Sequence, residues 1–501
     1  MTRTQPEQFP GGVLDLLEDA GRRTVFEHAG RTVSGALLLA AVRRAAAGLR
    51  RHGVGPGDGV GVLLGVSPEA FAAVIAAHAV GARVVGVRPG LTGPQREHLL
   101  ADTAFVLTEA PDGHPAAGPP GGSAAGRPRS VLPLHDLLAA PDDGRRPEVS
   151  ARPADTARLI HTSGSTGLPK ACAQTYAAMT AAWALRPDAW PPVIRELAPR
   201  LERFLVFGTL ASQVMLEYGL LSLAAGGTLV AADPADLSGG LARHRATGSV
   251  ITAARLTRLV AERRASAAGA GALRALMLSG SPVPPGRLRE AEAVLGPVVF
   301  HGYGQTETGM ISMAAPGEEP GCLGVPPVDV EVRDAGGRAV PAGEDGELFV
   351  RTPGQCAGYW NEPGRTAEVF TGGWVRTRDL GHLDAAGRLW LTGRTRDVVI
   401  VNANLYYTGP VERVLAAHPA VAEAYVVAVP DDATGEAAHA YVVPADGHVP
   451  QLAGLRALVA AELGGECAPA RLTVIESVPL TPAGKPDKRR LAAAARAAAG
   501  A

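Results

Sequence analysis

The sequence predicts an α/β protein built from two or more domains. A chain of 501 residues is too long to be organised around one hydrophobic core. An apolar segment at Gly59–Leu64, a helical pattern at Ser67–Val80 and a second apolar segment at Ala82–Val87 follow one another. Because a strand–helix–strand order requires a crossover, these segments predict neighbouring strands of a parallel sheet. A β-rich region near residues 328–351 and renewed helix–strand alternation from Val411 complete the expected α/β and mixed architecture.

Other elements are predicted in the same way. Thr24–His28 is typical of a strand, and the helix predicted at Ser34–Arg51 places Leu37, Leu38 and Leu49 on one apolar face. Further core strands are predicted at Arg203–Val206, Thr228–Ala232, Ser249–Thr252 and Ala275–Leu278, and a hairpin at Val328–Arg333 and Gly346–Arg351.

Composition restricts the classes of function. The chain is 46% hydrophobic and 19% charged, as expected of a globular protein rather than a disordered one. Its net charge of −1 gives no basic surface, so nucleic acid is not an expected partner.

The cysteines and apolar segments indicate where the protein works. Cys172, Cys322, Cys356 and Cys467 lie far apart without a CxxC pair, which argues against a zinc site or a disulfide framework and favours a reducing compartment. The first residues lack the apolar segment of a secretory signal. The longest apolar run, Phe71–Val87, is interrupted by His78 and Arg83 and contains glycine, so we predict no membrane span and a cytoplasmic protein.

One short stretch has the composition of a phosphate-binding loop. Residues 162–170 read Thr162, Ser163, Gly164, Ser165, Thr166, Gly167, Leu168, Pro169 and Lys170. Glycines allow backbone N–H groups to approach an anion, and hydroxyls and an ammonium add donors. The spacing differs from a Walker A loop, because Lys170 follows Gly167 by three residues and Ala171 comes next. An ordinary polar turn is the alternative.

A second stretch combines an aromatic ring with a hydroxyl and a carboxylate. It follows Ser279-Gly280-Ser281-Pro282 and runs from His301 to Gly309 as HGYGQTETG. Tyr303 offers a face on which a purine can stack, while Thr306 and Glu307 offer a phosphate donor and a ligand for a hard cation. The alternative is a glycine-rich turn in which the tyrosine packs locally.

Three further stretches are less informative by themselves. Asp379, within Gly373–Gly381, is of a type common in turns. Residues 393–407 could be a plain turn between domains, and Lys485, within Pro479–Lys488, could be a solvated cation.

Taken together and in this order, the motifs resemble those of the adenylate-forming superfamily, which includes acyl- and aryl-CoA synthetases, acyl-AMP ligases and adenylation domains. The resemblance covers residues about 160–490. It implies a large N-terminal domain of parallel and mixed sheets with a β-rich subdomain, followed by a small, mobile α+β lid. We expect these domains at residues 1–395 and 396–501, with a hinge at Arg396 and Asp397.

The resemblance also implies individual roles. Tyr303 would stack on adenine, Thr306 would contact phosphate and Glu307 would bind Mg²⁺. Asp379 would accept from the ribose hydroxyls, and Arg394 would donate to the ribose or the α-phosphate. Gly280 and Ser281 would border adenine and the acyl pocket. Lys485 would bridge the carboxylate and the α-phosphate when the lid closes. The implied catalytic residues are Thr162, Glu307, Arg394 and Lys485; the implied ATP-binding set adds residues 163–167, Lys170, Gly280, Ser281, Tyr303, Gly304, Thr306 and Asp379.

Two positions depart from the family pattern. Arg378 stands where glycine usually precedes the aspartate, so its side chain must point away from the nucleotide or add a cation to it. Ala403 stands where many thioester-forming members keep glycine beside the pantetheine arm, which leaves the use of CoA open.

The acid pocket is expected between residues 207–213, 279–281 and 302–311. Its predicted lining is Phe207, Ala211, Ser279, His301, Gly302 and Gly309. For His301 a strand-capping role is the alternative. No aspartate that would hold an amino-acid ammonium is evident there, which favours a small or apolar acid.

The resemblance implies ATP- and Mg²⁺-dependent activation of such an acid, with transfer to CoA or a carrier-protein thiol, in secondary metabolism, by a monomer or homodimer. Activation of another oxyanion, such as nitrite for diazotisation of an aryl amine, is an alternative. A nucleotide-binding sensor or scaffold without catalysis is the alternative from another class.

Overall fold

The computed structural model of the chain describes residues 7–87, 91–109, 129–162, 170–233, 236–265, 271–280, 283–395, 397–401, 404–431, 434–445, 447–481 and 484–499. Its α-helices are α1 (Gly11–Ala20), α2 (Gly35–Arg51), α3 (Pro68–Ala79), α4 (Gly93–Leu100), α5 (Leu134–Leu138), α6 (Tyr176–Ala181), α7 (Pro192–Leu197), α8 (Gln213–Ala224), α9 (Leu237–Arg243), α10 (Ala253–Ala265), α11 (Pro285–Leu295), α12 (Pro363–Val369), α13 (Thr408–Ala417), α14 (Leu452–Leu463) and α15 (Lys488–Ala499).

The strands are β1 (Thr24–His28), β2 (Arg31–Ser34), β3 (Gly59–Leu63), β4 (Arg83–Gly86), β5 (Phe105–Thr108), β6 (Ser130–Pro133), β7 (Thr156–Thr162), β8 (Lys170–Thr175), β9 (Arg203–Val206), β10 (Thr228–Ala231), β11 (Gly248–Ile251), β12 (Ala275–Leu278), β13 (Val299–Gln305), β14 (Gly309–Ala314), β15 (Asp329–Arg333), β16 (Gly346–Arg351), β17 (Gly358–Tyr359), β18 (Phe370–Thr371), β19 (Trp374–Leu383), β20 (Leu389–Arg394), β21 (Val398–Val401), β22 (Asn404–Tyr407), β23 (Val421–Asp431), β24 (Gly435–Pro444) and β25 (Arg471–Val474). Short 3₁₀ turns occur at Trp183–Leu185, Pro187–Ala189, Ala198–Leu201 and Gly465–Cys467.

Two large mixed sheets form the N-terminal part. The first has the strand order β14-β13-β12-β11-β9-β10-β1-β2, and the second β17-β8-β7-β4-β3-β5-β6. Strands β3 and β4 pair in parallel, as the strand–helix–strand pattern predicts, and β9, β11 and β12 are also parallel neighbours. Antiparallel strands β14 and β8 make both sheets mixed. The predicted α/β class is confirmed.

Helices fill the space between these sheets and cover the far face of the first. Helix α2 begins after Ser34, whose side chain accepts from Leu37 N, and α3 after Ser67, which caps in the same way. Leu38 and Leu49 lie in the core between the sheets, as predicted. Leu37 does not: it is 60% exposed, because its position lies about a third of a turn from the centre of the buried stripe.

Two smaller sheets follow along the chain. The third contains β15, β16, β18, β19 and β20, so the predicted hairpin exists as the antiparallel pair β15–β16. The fourth contains β21 to β25, packs against α13 and α14, and forms a small α+β C-terminal domain. Asp397 lies between the last strand of the third sheet and the first strand of the fourth. The domain boundary at this residue stays a prediction.

Across the residues that the structure describes, every helix is too short or too polar to cross a lipid bilayer.

Candidate active site

Several of the predicted site residues lie at one edge of the first sheet. Strands β9, β11 and β12 are parallel, so their carboxyl ends meet at the same edge. Phe207 follows β9, Thr252 follows β11, and Ser279 with Gly280 follows β12. Strand β13, the next neighbour, carries Tyr303. This edge is where open α/β sheets commonly bind ligands.

Asp379 is the centre of a hydrogen-bonded cluster at this edge. Its Oδ2 accepts from the hydroxyl of Tyr303 at 2.7 Å and from Gln305 Nε2 at 2.6 Å. Its Oδ1 pairs with Arg394 Nε at 2.7 Å. The carboxylate is 2% exposed, and Gln305 also donates to the backbone carbonyl of Thr377 at 2.9 Å. Three donors therefore fix the carboxylate in one orientation.

The strand register explains this cluster. Asp379 on β19 and Arg394 on β20 are directly opposite in an antiparallel pair, so the ion pair is built into the sheet. The charge of Asp379 raises the pKa of Arg394. Burial and the same carboxylate raise the pKa of Tyr303, which keeps its hydroxyl protonated as a donor.

Arg378, the departure next to Asp379, points elsewhere. Its backbone has φ +62°, the left-handed region in which glycine is the usual residue. Its Nη2 lies 3.1 Å from Glu368 Oε2. Sequence analysis left two alternatives for this side chain, pointing away from the nucleotide or adding a cation to it. The structure supports the first, because the guanidinium pairs with Glu368.

Glu307 lies in a second cluster together with Lys170. Its Oε1 accepts from the hydroxyl of Tyr359 at 2.7 Å, and Lys170 Nζ lies 4.9 Å from the centre of the Tyr359 ring. Strand β17 pairs with β8, which places Tyr359 opposite Cys172 and close to Lys170. Thr306 accepts from Cys356 Sγ at 3.3 Å through its carbonyl. A predicted phosphate-binding cation and a predicted metal ligand thus flank one tyrosine.

Lys485, from the C-terminal domain, reaches the same edge. A Cβ atom placed on Gly280 would lie 3.6 Å from Lys485 Cε, and one placed on Gly484 would lie 3.8 Å from Thr252. Partial desolvation and the nearby Arg394 lower the pKa of Lys485, whereas Glu307 and Asp379 oppose this shift. Part of its surface still faces solvent. Its electrostatic neighbours are therefore the charged groups of both clusters.

Several predicted residues cannot be placed. Thr162 ends β7 and pairs by backbone register with Lys170. Outside the described residues lie the rest of the predicted phosphate loop, one residue beside Gly280 and two in the hinge segment: Ser163, Gly164, Ser165, Thr166, Gly167, Ser281, Arg396 and Ala403.

The predicted acid-pocket residues fall into two groups. The guanidinium carbon of Arg255 lies over the Phe207 ring, 4.2 Å from the centre of that ring. A Cβ atom on Gly86 would lie 2.7 Å from Ala211 Cβ, so the end of β4 closes tightly over Ala211. Gly309 has φ +73°, and a Cβ atom there would lie 3.7 Å from Gln213 Nε2. These three predicted residues surround the start of α8.

Gly302 and His301 face opposite sides of β13. A Cβ atom on Gly302 would lie 2.9 Å from Met277 Sδ, towards the core between the sheets. His301 instead lines a cavity of about 40 Å³ together with α11 residues. Burial lowers its pKa to about 4, so the ring is neutral near pH 7, and its Nδ1 has no partner among the described residues. Its role in the acid pocket stays a prediction.

Sequence reasoning assigned no role to several residues of these clusters. Gln305 lies inside the HGYGQTETG stretch, so its position was available as a signal. Gln213 ends the 207–213 stretch that was predicted to border the acid pocket, so its position was available as well. Tyr359 carried no signal for a contact with Glu307, because a tyrosine after glycine is common.

Comparison with known families decides the classification. A family model described as "AMP-binding enzyme" matches residues 17–360, and one described as "AMP-binding enzyme C-terminal domain" matches residues 410–485. The chain belongs to the AMP-binding enzyme family. The resemblance to the adenylate-forming superfamily is confirmed, and the chain is an adenylate-forming ligase.

Its curated relatives in the AMP-binding enzyme family include ligases that make thioesters. A feruloyl-CoA synthase from an Amycolatopsis species is 33% identical over 473 residues, which are 92% of this chain and 94% of that protein. The fatty acid–[acyl-carrier-protein] ligase ScoC from Streptomyces coeruleorubidus is 30% identical over 482 residues, covering 92% and 91%.

Solved structures in the family extend the comparison. The amide bond synthetase McbA from Marinactinospora thermotolerans superposes with a TM-score of 0.80 at 31% identity, covering 97% of this chain and 99% of that one. The o-succinylbenzoate coenzyme A synthetase of Bacillus subtilis, solved with ATP and a magnesium ion, has a TM-score of 0.75 at 26% identity, covering 96% and 98%. These relatives are thus ligases or synthetases, and one of them was solved with both ATP and magnesium.

Proposed function

We propose that this adenylate-forming ligase activates a small or apolar carboxylic acid with ATP. The acid carboxylate attacks the α-phosphorus, pyrophosphate leaves, and the acyl-adenylate then passes to a nucleophile. Tyr303 would stack on adenine, Asp379 would accept from the ribose hydroxyls, and Thr162, Lys170 and Arg394 would hold phosphate oxygens. The ordered carboxylate of Asp379 supports this assignment, since its partners already orient it.

The observation that carries the proposal is the position of Lys485. A lysine from the C-terminal domain lies beside Gly280, at the sheet edge that also holds the Asp379 cluster. An ammonium at that place can neutralise the charge that develops when the carboxylate attacks the α-phosphate. Comparable donors are worth roughly 3–4 kcal/mol of transition-state stabilisation.

Glu307 fits the magnesium requirement of this chemistry. Mg²⁺ is usually held by one or two carboxylates and by substrate phosphates. Tyr359 orients Glu307 through Oε1, and Lys170 lies close by to share the phosphates. When bound, the ion would shield phosphate charge and orient the leaving pyrophosphate.

We also propose a division of the chain into two domains that meet at a hinge. Residues 1–395 would bind ATP and the acid, and residues 396–501 would form a lid that turns about Arg396 and Asp397. Asp397 Oδ2 lies 2.7 Å from Lys488 Nζ, which also contacts Glu412 Oε1 at 2.8 Å. These contacts tie Asp397 to the lid, as a pivot at the domain boundary requires.

We propose a thiol, of CoA or of a carrier protein, as the acceptor, because the two curated relatives described above are thioester-forming ligases. A role in secondary metabolism, a cytoplasmic location and a monomeric or dimeric state stay predictions.

An amine acceptor is the second candidate. Similarity to the amide bond synthetase McbA over 97% of this chain favours it.

The test is pyrophosphate release with ATP and Mg²⁺ across fatty, aryl and amino acids and nitrite, each with and without CoA or a panel of amines. Release that depends on one acid and rises with CoA supports the thiol acceptor, and a rise with an amine supports amide formation. Pyrophosphate release with nitrite alone would overturn the proposal that a carboxylate is activated. No release under any of these conditions would favour a nucleotide-binding protein without catalysis.

A further inference from the structure

Helix α11 of the N-terminal part meets the C-terminal domain through an ion pair. Arg287 lies on this helix, and its Nη2 is 3.8 Å from Oε1 of Glu423 on β23. The two side chains are only 16% and 18% exposed, and α11 also lies against α13 of the C-terminal domain. An ion pair that is largely shielded from solvent is screened less by salt than one on the open surface. This pair therefore contributes to the contact between the two parts of the chain.

Each partner of the pair is held by its own side of the interface. Arg287 Nη1 contacts Glu290 Oε2 at 2.9 Å, and Glu290 Oε1 lies 2.8 Å from Arg264 Nη1. Across the interface, the hydroxyl of Tyr425 donates to Glu423 Oε2 at 2.7 Å. Both charged groups are thus oriented before they meet, so little side-chain entropy is lost when the interface forms.

A polar network connects the same strand to the proposed hinge. Lys488 Nζ lies 2.7 Å from Asp397 Oδ2 and 2.8 Å from Glu412 Oε1. Glu412 Oε1 also accepts from the backbone N–H of Val426 on β23 at 2.7 Å. The strand that meets α11 is therefore tied to Asp397 through two side chains.

Helix α11 also begins beside the loop that carries Lys485. It follows the segment of Gly280, and a Cβ atom on Gly280 would lie 3.6 Å from Lys485 Cε. Helix α10, its neighbour, begins directly after Thr252, which a Cβ atom on Gly484 would approach to 3.8 Å. Because a helix is rigid over this length, a contact at Arg287 fixes how the lysine loop lies over the sheet edge.

We infer that Arg287 and Glu423 are positioning residues for Lys485: their ion pair holds the C-terminal domain in the orientation in which the lysine reaches Gly280. This inference rests on the proposed function, in which the lid turns between adenylation and transfer. A turn about Asp397 carries β23 away from α11, so the pair breaks as the lysine withdraws. The free energy of the pair therefore favours the adenylation orientation over the transfer orientation.

The experiment removes one charge at a time and measures a single round of adenylation. Glu423→Gln and Arg287→Gln should each slow single-turnover pyrophosphate formation about 3- to 10-fold, with the acid that the panel above identifies. The double variant should be no slower than the slower single variant, because both changes remove the same interaction. Glu476→Gln and Arg289→Gln change exposed residues of the same domain and the same helix, so these matched controls should keep the wild-type rate.

Limited digestion with trypsin tests the orientation of the lid without turnover of any acid. Trypsin cleaves after arginine, and two arginines lie in the joining segment of residues 394–397. A lid that is released more often should expose this segment, so both single variants should be cut there at least about twofold faster, as read by mass spectrometry. Their thermal melting temperatures should equal that of the wild-type protein, which a weakened fold would not show.

The outcomes separate this inference from the proposed function. Unchanged pyrophosphate formation in a folded single variant, multiplied losses in the double variant, or slower formation without faster cleavage would overturn the inference alone. If one single variant does not fold, the other carries the same test. If the wild-type enzyme forms no pyrophosphate with any acid, the proposed function fails, and the role given to Lys485 here fails with it.

Discussion

The nucleotide side and the acid side of the site differ in how completely their polar groups are paired. On the nucleotide side, Asp379 receives hydrogen bonds from Tyr303, Gln305 and Arg394. On the proposed acid side, the buried Nδ1 of His301 has no partner among the described residues. Asp379 is 2% exposed and His301 is 8% exposed, so the difference in pairing does not arise from access to solvent.

This difference indicates what each side is built to do. A carboxylate that is already oriented costs little to reorganise when the ribose binds, so the nucleotide side is preorganised for one constant ligand. A buried polar atom without a partner is stabilised only when a ligand group forms a hydrogen bond with it. Such an atom therefore favours ligands that carry that group over ligands that lack it. We therefore expect mutations on the nucleotide side to affect every acid equally.

The largest expected effect comes from Lys485→Ala. Removing the ammonium should lower pyrophosphate release at least ~10²-fold for any acid, because the transition-state charge loses its partner. Transfer from supplied acyl-adenylate should be spared. Arg489→Ala, which removes an exposed neighbouring cation, is the matched control. Unchanged release by Lys485→Ala would remove this lysine from the mechanism.

Asp379→Asn should have the next largest effect. It leaves the shape but removes the charge that Arg394 and the ribose hydroxyls would share, and hydrogen bonds to charged groups are worth about 1.5–3 kcal/mol. We expect KM for ATP to rise about 10- to 100-fold and the ranking of acids to stay the same. Steady-state kinetics at saturating acid measures this, with Asp329→Asn, an exposed ion-pair residue, as control. A changed ranking would contradict the separation of the two sides.

The pH dependence of adenylation should report on Lys485. Only the cationic form can neutralise charge, so activity is present below its pKa and is lost as the pH rises through it. Because desolvation and Arg394 lower that pKa from its usual 10.5, the alkaline loss should occur below the pH expected of a free lysine. The pH profile of kcat/KM for pyrophosphate release measures it, because that ratio reports the groups of the free enzyme. In Lys485→Arg, which stays charged, a loss at the same pH would assign the profile to another group.

The smallest effect is expected from Arg378→Gly. Glycine removes the strain of a left-handed backbone at this position, which stabilises the folded protein. It also increases the conformational entropy of the unfolded chain and removes an exposed ion pair with Glu368, and both changes destabilise the folded protein. These contributions nearly cancel, so the free energy of unfolding should change by less than about 1 kcal/mol. KM for ATP should change less than about twofold, because the guanidinium is directed to Glu368. Denaturant unfolding and kinetics test both, and a large rise in KM would show that Arg378 serves the nucleotide after all.

Local patterns predicted much of the fold. The parallel pair β3–β4 follows from two apolar segments around a helix, and Ser34 and Ser67 cap the helices that they precede. The exposed Leu37 shows the limit, because a helix pattern alone does not set the edge of the buried stripe.

Long-range contacts in the site were not available from these patterns. Tyr303 and Asp379 are 76 residues apart in sequence and meet only because β13 and the third sheet converge. Glu217 lies in a helix whose sequence is mostly apolar, and its pairing with Arg158 depends on the packing of that helix against the second sheet. The phosphate loop after Thr162 lies outside the described residues, so its role rests on sequence alone.

The most direct measurement is mass spectrometry of the acyl-adenylate, with enzyme, ATP, Mg²⁺ and the preferred acid but no acceptor. The account predicts a species with the mass of the acid plus AMP less water, formed by the wild-type enzyme and formed at least ~10²-fold more slowly by Lys485→Ala. Acid-dependent pyrophosphate release without that species, or its formation at the wild-type rate by the lysine variant, would contradict the central claim.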